Sequence, residues 1–109
     1  MDLNTAYHST APTMVDFNAT VTSAPSYFFG SRTKCVHETF AVQSDAGPVS
    51  VVDNVALAPR VPVSPGDRVE VCGEMVHDPG KLPLVHWTHH DPAGKHPDGF
   101  IQFRGRRYA

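Results

Sequence analysis

Alternation between apolar and polar positions sets in at Val15. Val15, Phe17, Ala19 and Val21 share one face of an extended segment, and Asp16, Asn18, Thr20 and Thr22 the other. Period two marks a strand with one face buried. A second segment, residues 35–42, repeats the pattern with Phe40 and Val42 inward. Asp45-Ala46-Gly47-Pro48 reads as a turn, and residues 49–52 as a third strand. Asp53-Asn54 can cap a short helical turn through Leu57 and Ala58, which Pro59 then stops. Residues 67–74 predict a fourth strand with Val69 and Val71 inward. Leu82 to His90 predicts a fifth and residues 100–103 a short sixth. Two stretches lack a period. Residues 1–13 read as a flexible, mixed polar arm, and residues 24–34 as a connection carrying Tyr27, Phe28 and Phe29.

Five or six short strands with one brief helical turn after the third predict an all-β fold. A small, closed OB-like barrel over residues 14–109 fits best, with a β-sandwich as competitor. Pro65-Gly66-Asp67 leads into the fourth strand, and Gly73 lets that strand bend round a barrel. Composition agrees with this class. The 109 residues include ten prolines and eight glycines, which cut the chain into short elements. That length is one domain with one core.

A formal charge of −2 argues against broad attraction to phosphate backbones and leaves room for a local basic patch. No apolar run is long enough for a membrane helix, so no membrane insertion is expected. The first residues have neither the basic nor the apolar region of a signal peptide. A cytoplasmic location is therefore expected unless a signal has been removed. Cys35 and Cys72 are too far apart for a CxxC motif. They read as small buried residues, as a disulfide if their strands are neighbours, or, least well, as a catalytic thiol.

Chemistry concentrates in Val85-His86-Trp87-Thr88-His89-His90-Asp91-Pro92. Three of the seven histidines fall here beside a carboxylate and the single tryptophan. On a regular strand Val85, Trp87 and His89 point one way, toward the core. His86, Thr88 and His90 then point the other way, toward a groove. Residues four apart on a strand are separated by about 13 Å, so His86 and His90 cannot share one metal.

The chain resembles a family of small bacterial proteins known only as domain of unknown function 3465. Three blocks carry the resemblance. They are residues 54–62, residues 66–74, and the run His86-Trp87-Thr88-His89-His90-Asp91-Pro92 with its continuation through His96, Gly99 and Tyr108. The family pattern favours histidine where Asp53 stands, tryptophan where Phe100 stands and an aromatic where Met75 stands. The resemblance implies a small OB-like barrel and brings no activity with it.

Three readings of the histidine block compete. One is a metal centre at His89, His90, Asp91 and His96, with His37 and Glu38 able to reach across. Imidazole and carboxylate there suit a divalent transition metal such as zinc, manganese or nickel. A metal-dependent hydrolase of phosphodiesters would use such a centre. A second reading is a staple, in which Asp91 and Asp98 tie down the Pro-Ala-Gly loop. The third is a ligand face that needs no metal. It would be built from Tyr27, Phe28, His37, His86, Thr88 and His90, with Arg104 and Arg106 supplying charge. A nucleotide, a single-stranded nucleic acid or another small anion would be its ligand. A protein-interaction or inhibitor module is a further option. No GxSxG, P-loop or HExxH motif is present, so the balance leans away from an enzyme.

Overall fold

A computed structural model describes residues 2–109. After a short helix, α1 (Leu3–His8), eight strands follow. They are β1 (Thr13–Val21), β2 (Ser26–Gly30), β3 (Cys35–Gln43), β4 (Pro48–Asn54), β5 (Arg68–Val76), β6 (Leu84–His86), β7 (Phe100–Phe103) and β8 (Arg106–Tyr108). The fold is all-β with one short helix.

The strands make one sheet in the order β1-β3-β4-β6-β5-β7-β8, and β1 also pairs with β5. That last pairing closes β1, β3, β4, β6 and β5 into a ring. All ring pairings are antiparallel except β4 with β6, which is parallel. The alternating apolar positions fill the ring. Val15, Phe17, Ala19 and Val21 of β1 meet Phe40 and Val42 of β3, Val49 and Val51 of β4, and Val69 and Val71 of β5, all buried. Each fully buried valine or phenylalanine stabilises by about 1.5–3 kcal/mol over its exposed state.

Several elements depart from the sequence reading. Residues 3–8 are helical where an irregular arm was expected. Asp2 caps the helix by accepting from the Thr5 amide at 2.8 Å, Ala6 is buried, and the Tyr7 hydroxyl donates to the Pro48 carbonyl at 2.9 Å. The expected connection at residues 24–34 contains β2, which pairs with β3. The basic end forms β8, which folds back on β7. The helical turn after β4 is present, but Asn54 alone serves it, its side chain accepting from the Ala56 amide. Asp53 points into the ring and is fully buried. Cys35 and Cys72 are free thiols. Among the described residues no helix is long and apolar enough to cross a membrane.

Candidate functional site

The expected fifth strand stops at His86, and the site begins where it stops. Trp87 adopts a left-handed conformation with φ of 57°, which side chains larger than glycine seldom take. At this residue the strand's alternation breaks. Val85 stays in the core, but Trp87 turns outward and is half-buried, while Thr88 takes the inward position and is fully buried. The expectation that Trp87 packs in the core and Thr88 lines a groove is therefore corrected. Two glycines make the turn possible. A Cβ on Gly73 would collide with the His86 carbonyl, and one on Gly99 would collide with the Trp87 carbonyl.

Turned outward, Trp87 is stacked against two imidazoles. The His86 ring stacks on it at 4.8 Å between centroids and the His96 ring at 4.1 Å. His89 meets His96 edge-on at 5.4 Å. These four rings, with His37 and Asn54 from the outer faces of β3 and β4, line a cavity of about 260 Å³. A second, more open depression of about 390 Å³ adjoins it and shares Thr33 and His37 as a common wall. Phe28, Phe29 and Arg32 complete the second depression, and Phe28 stacks on His37 at 5.2 Å. The two hollows meet at Thr33 and His37, between the β2 hairpin and the loop after β6, and are together called the trough.

Each imidazole on the main cavity except His37 is tethered at one nitrogen. His86 Nε2 lies 2.8 Å from Glu74 Oε1, His89 Nδ1 is 2.7 Å from the His90 carbonyl, and His96 Nδ1 is 2.9 Å from the Pro97 carbonyl. A carbonyl oxygen only accepts, so Nδ1 of His89 and of His96 carries the proton. The second nitrogen of each neutral ring is then the basic one.

The far wall is a stapled loop. The Asp91 carboxylate accepts from the Ala93, Lys95 and His96 amides. Burial pushes its pKa up, yet the backbone donors outweigh this and hold it below the usual value. Asp98 accepts from the Asp91 amide and from His90, each at 2.8 Å.

Beneath the cavity lies a buried acid pair. Glu38 and Asp53 are cross-strand neighbours on β3 and β4, and neither has exposed surface. Glu38 accepts from the Tyr27 hydroxyl and the Val61 amide, both at 2.9 Å. Asp53 Oδ1 lies 3.1 Å from the Thr88 hydroxyl, which also faces the Val52 carbonyl at 3.0 Å. Asp53 Oδ2 has no partner. Burial raises the Asp53 pKa to about 7, against a lowering pull from Thr88 and with a further push from Glu38.

The expected ligand residues therefore divide. His37 and His86 line the cavity, and Phe28 lines the adjoining hollow. Tyr27 is tied to Glu38 and lies under the Arg60 guanidinium at 4.6 Å. Thr88 is buried and His90 is exposed, bonded to Asp98. Arg104 lies in a separate shallow depression with Asn18, Arg68 and Gln102, and Arg106 packs over Tyr108. Of the metal candidates, His89 and His96 meet at the cavity, Asp91 is taken up by backbone amides and His90 faces Asp98. Among the described residues, no three His, Cys, Asp or Glu side chains are placed to hold one metal ion. Sequence reasoning missed Glu74, which anchors His86 across the β5–β6 pairing. It also missed Trp87 as a cavity residue.

Among known proteins, a family model described as "Protein of unknown function (DUF3465)" matches residues 7–109. No curated protein and no solved structure matches the chain.

Proposed function

The chain belongs to this family of unknown function, and we propose from the site itself that it binds short single-stranded nucleic acid in the trough. The carrying observation is the pair of adjoining hollows that share His37. Two neighbouring sockets suit successive units of a polymer better than one isolated small molecule. Their walls are imidazole, indole and phenyl rings, with Arg32 at one end. Flat rings stack on bases of any sequence, and a nearby guanidinium meets the phosphate between them. Phe28 offers the better platform, because it is 45% exposed while Trp87 is half-buried and already stacked with His86 and His96.

Topology supports the same reading. The ring order β1-β3-β4-β6-β5, with β4 and β6 parallel, is read here as OB-like. OB barrels present oligonucleotides and oligosaccharides to the face of their second and third strands. Those ring strands are β3 and β4, which carry His37, Val52 and Asn54 on the cavity.

The test is fluorescence anisotropy with a labelled DNA or RNA strand of about eight nucleotides, at two salt concentrations. Phe28→Ala and His37→Ala are each expected to weaken binding about tenfold, the size of one lost stacking contact. Arg104→Ala, outside the trough, is expected to leave affinity unchanged. Absence of binding by the parent chain at low salt overturns the reading. So does binding that Arg104→Ala weakens and Phe28→Ala does not.

A further inference from the structure

The main cavity holds the parts of an acid–base pair. His86 is hydrogen-bonded through Nε2 to Glu74 at 2.8 Å, with the imidazole a third exposed and Glu74 still less so. A carboxylate in that position fixes the tautomer, leaves Nδ1 as the basic nitrogen, and stabilises the imidazolium that forms when Nδ1 takes a proton. His89 is fixed in the opposite sense, with its Nδ1–H given to the His90 carbonyl and Nε2 as its second, lone-pair nitrogen. Both rings line the same cavity. Among the described residues, Thr33 is the sole hydroxyl on that wall, and no thiol or amine is among the lining side chains. A substrate that carries its own nucleophile suits such a cavity.

We propose that the trough cleaves RNA, with His86 as general base and His89 as general acid. This rests on the nucleic-acid reading above. His86 Nδ1 takes the proton from a ribose 2′-hydroxyl, whose oxygen then bonds to the adjacent phosphorus. The bond from phosphorus to the 5′-oxygen breaks, and His89, entering protonated, donates its Nε2 proton to that leaving oxygen. The products are a 2′,3′-cyclic phosphate and a 5′-hydroxyl. Proton exchange with solvent returns both rings to their starting states. Glu74 is a positioning residue, acting on the reaction only through His86. The second hollow, with Phe28 and Arg32, holds the neighbouring nucleotide.

The experiment uses the full chain, an end-labelled RNA, and the same sequence as 2′-O-methyl RNA to report binding alone. The RNA is expected to be cut to cyclic-phosphate ends, at a rate that passes through a maximum with pH. The methylated strand is expected to bind and stay intact. His86→Gln and His89→Gln should each lower the rate about 100-fold or more, well beyond the loss of affinity for the methylated strand that the same variant shows. Glu74→Gln should reduce the rate less and displace the pH maximum. Because His89 is buried, its variant is scored only alongside its measured binding, and the less buried His86 carries the test if it misfolds. Methylated strand bound with RNA intact at every pH from about 5 to 8, the range of histidine chemistry, overturns the cleavage proposal and leaves the binding reading standing. So does cutting that survives both histidine variants or vanishes with a divalent-metal chelator. No binding of either strand overturns both.

Discussion

Asp53 shows what one buried carboxyl does to the pH response of the whole fold. Its pKa is raised by burial from 3.8 to about 7, so the folded chain holds this proton more tightly than the unfolded chain does. The stabilising contribution of the neutral acid is full below 3.8, fades as pH rises toward 7 and is gone above that. Glu38 is the titratable group beside it, and Thr88 is its hydrogen-bond partner. Asp53→Asn mimics the neutral acid. Its stability relative to the parent is expected to be greater at about pH 8 than at about pH 4, by on the order of 2–4 kcal/mol. Urea unfolding at the two pH values measures this, and an equal offset at both would show that Asp53 does not titrate in the fold. The sequence gives no sign of this role, because Asp-Asn before a turn looks like a cap. Only the cross-strand register with Glu38 places Asp53 inside. Trp87 is a similar case. Side-chain alternation put it in the core, and its left-handed backbone, made possible by distant Gly73 and Gly99, put it on the cavity.

Among the elements, the strands with several alternating buried positions were legible, and β2 and β8 were not. β1, β3, β4, β5 and β7 follow their alternation closely. In β2, Ser26 through Phe29 are all exposed, so no period of two marks it. β8 is hidden by its turn. Arg104 and Gly105 sit at φ of 52° and 77°, the paired positive values of a two-residue type I′ hairpin, which Asn-Gly or Asp-Gly normally announces. Arginine pays a steric cost there that asparagine largely avoids. What Arg104 gains in return is small. Its nitrogen lies 3.9 Å from Asp67 with 78% of its side chain exposed, and it stands 5.0 Å over Phe103. Arg104→Asn is therefore expected to stabilise the chain by about 0.5–1 kcal/mol. A chemical-denaturation midpoint that stays put or falls would mean that the two arginine contacts outweigh the turn. The loop after β6 lies between these cases. Asp91 and Asp98 were readable as staples from their places beside Pro92 and Gly99. The cavity that the loop walls in was not, since it depends on where His37 and His86 lie in the ring.

For the molecule as a whole, alternation gives the facing of each strand and says nothing about its neighbours. The all-β class and single core follow from the pattern. The closing β1–β5 pairing and the parallel β4–β6 pairing come from the three-dimensional fold. Closure removes most sheet edges but leaves two strands, β2 and β8, each with a single pairing partner. Exposed edges invite pairing with another chain, and charge on them opposes it. β8 carries Arg106 and Arg107. β2 carries Tyr27, Phe28 and Phe29 and no charged residue. Phe29 is 60% exposed and its cross-strand partner Val36 is 40% exposed, so the uncharged edge borders an apolar surface. Self-association at high concentration is therefore expected to run through β2. Phe29→Lys places a charge on that edge while leaving the ring interior intact, so the thermal midpoint should shift by no more than about 0.5 kcal/mol allows. Sedimentation across a concentration series should then show the parent forming larger species and Phe29→Lys remaining monomeric. A parent that stays monomeric throughout, or a variant that associates equally, would remove β2 as the associating edge.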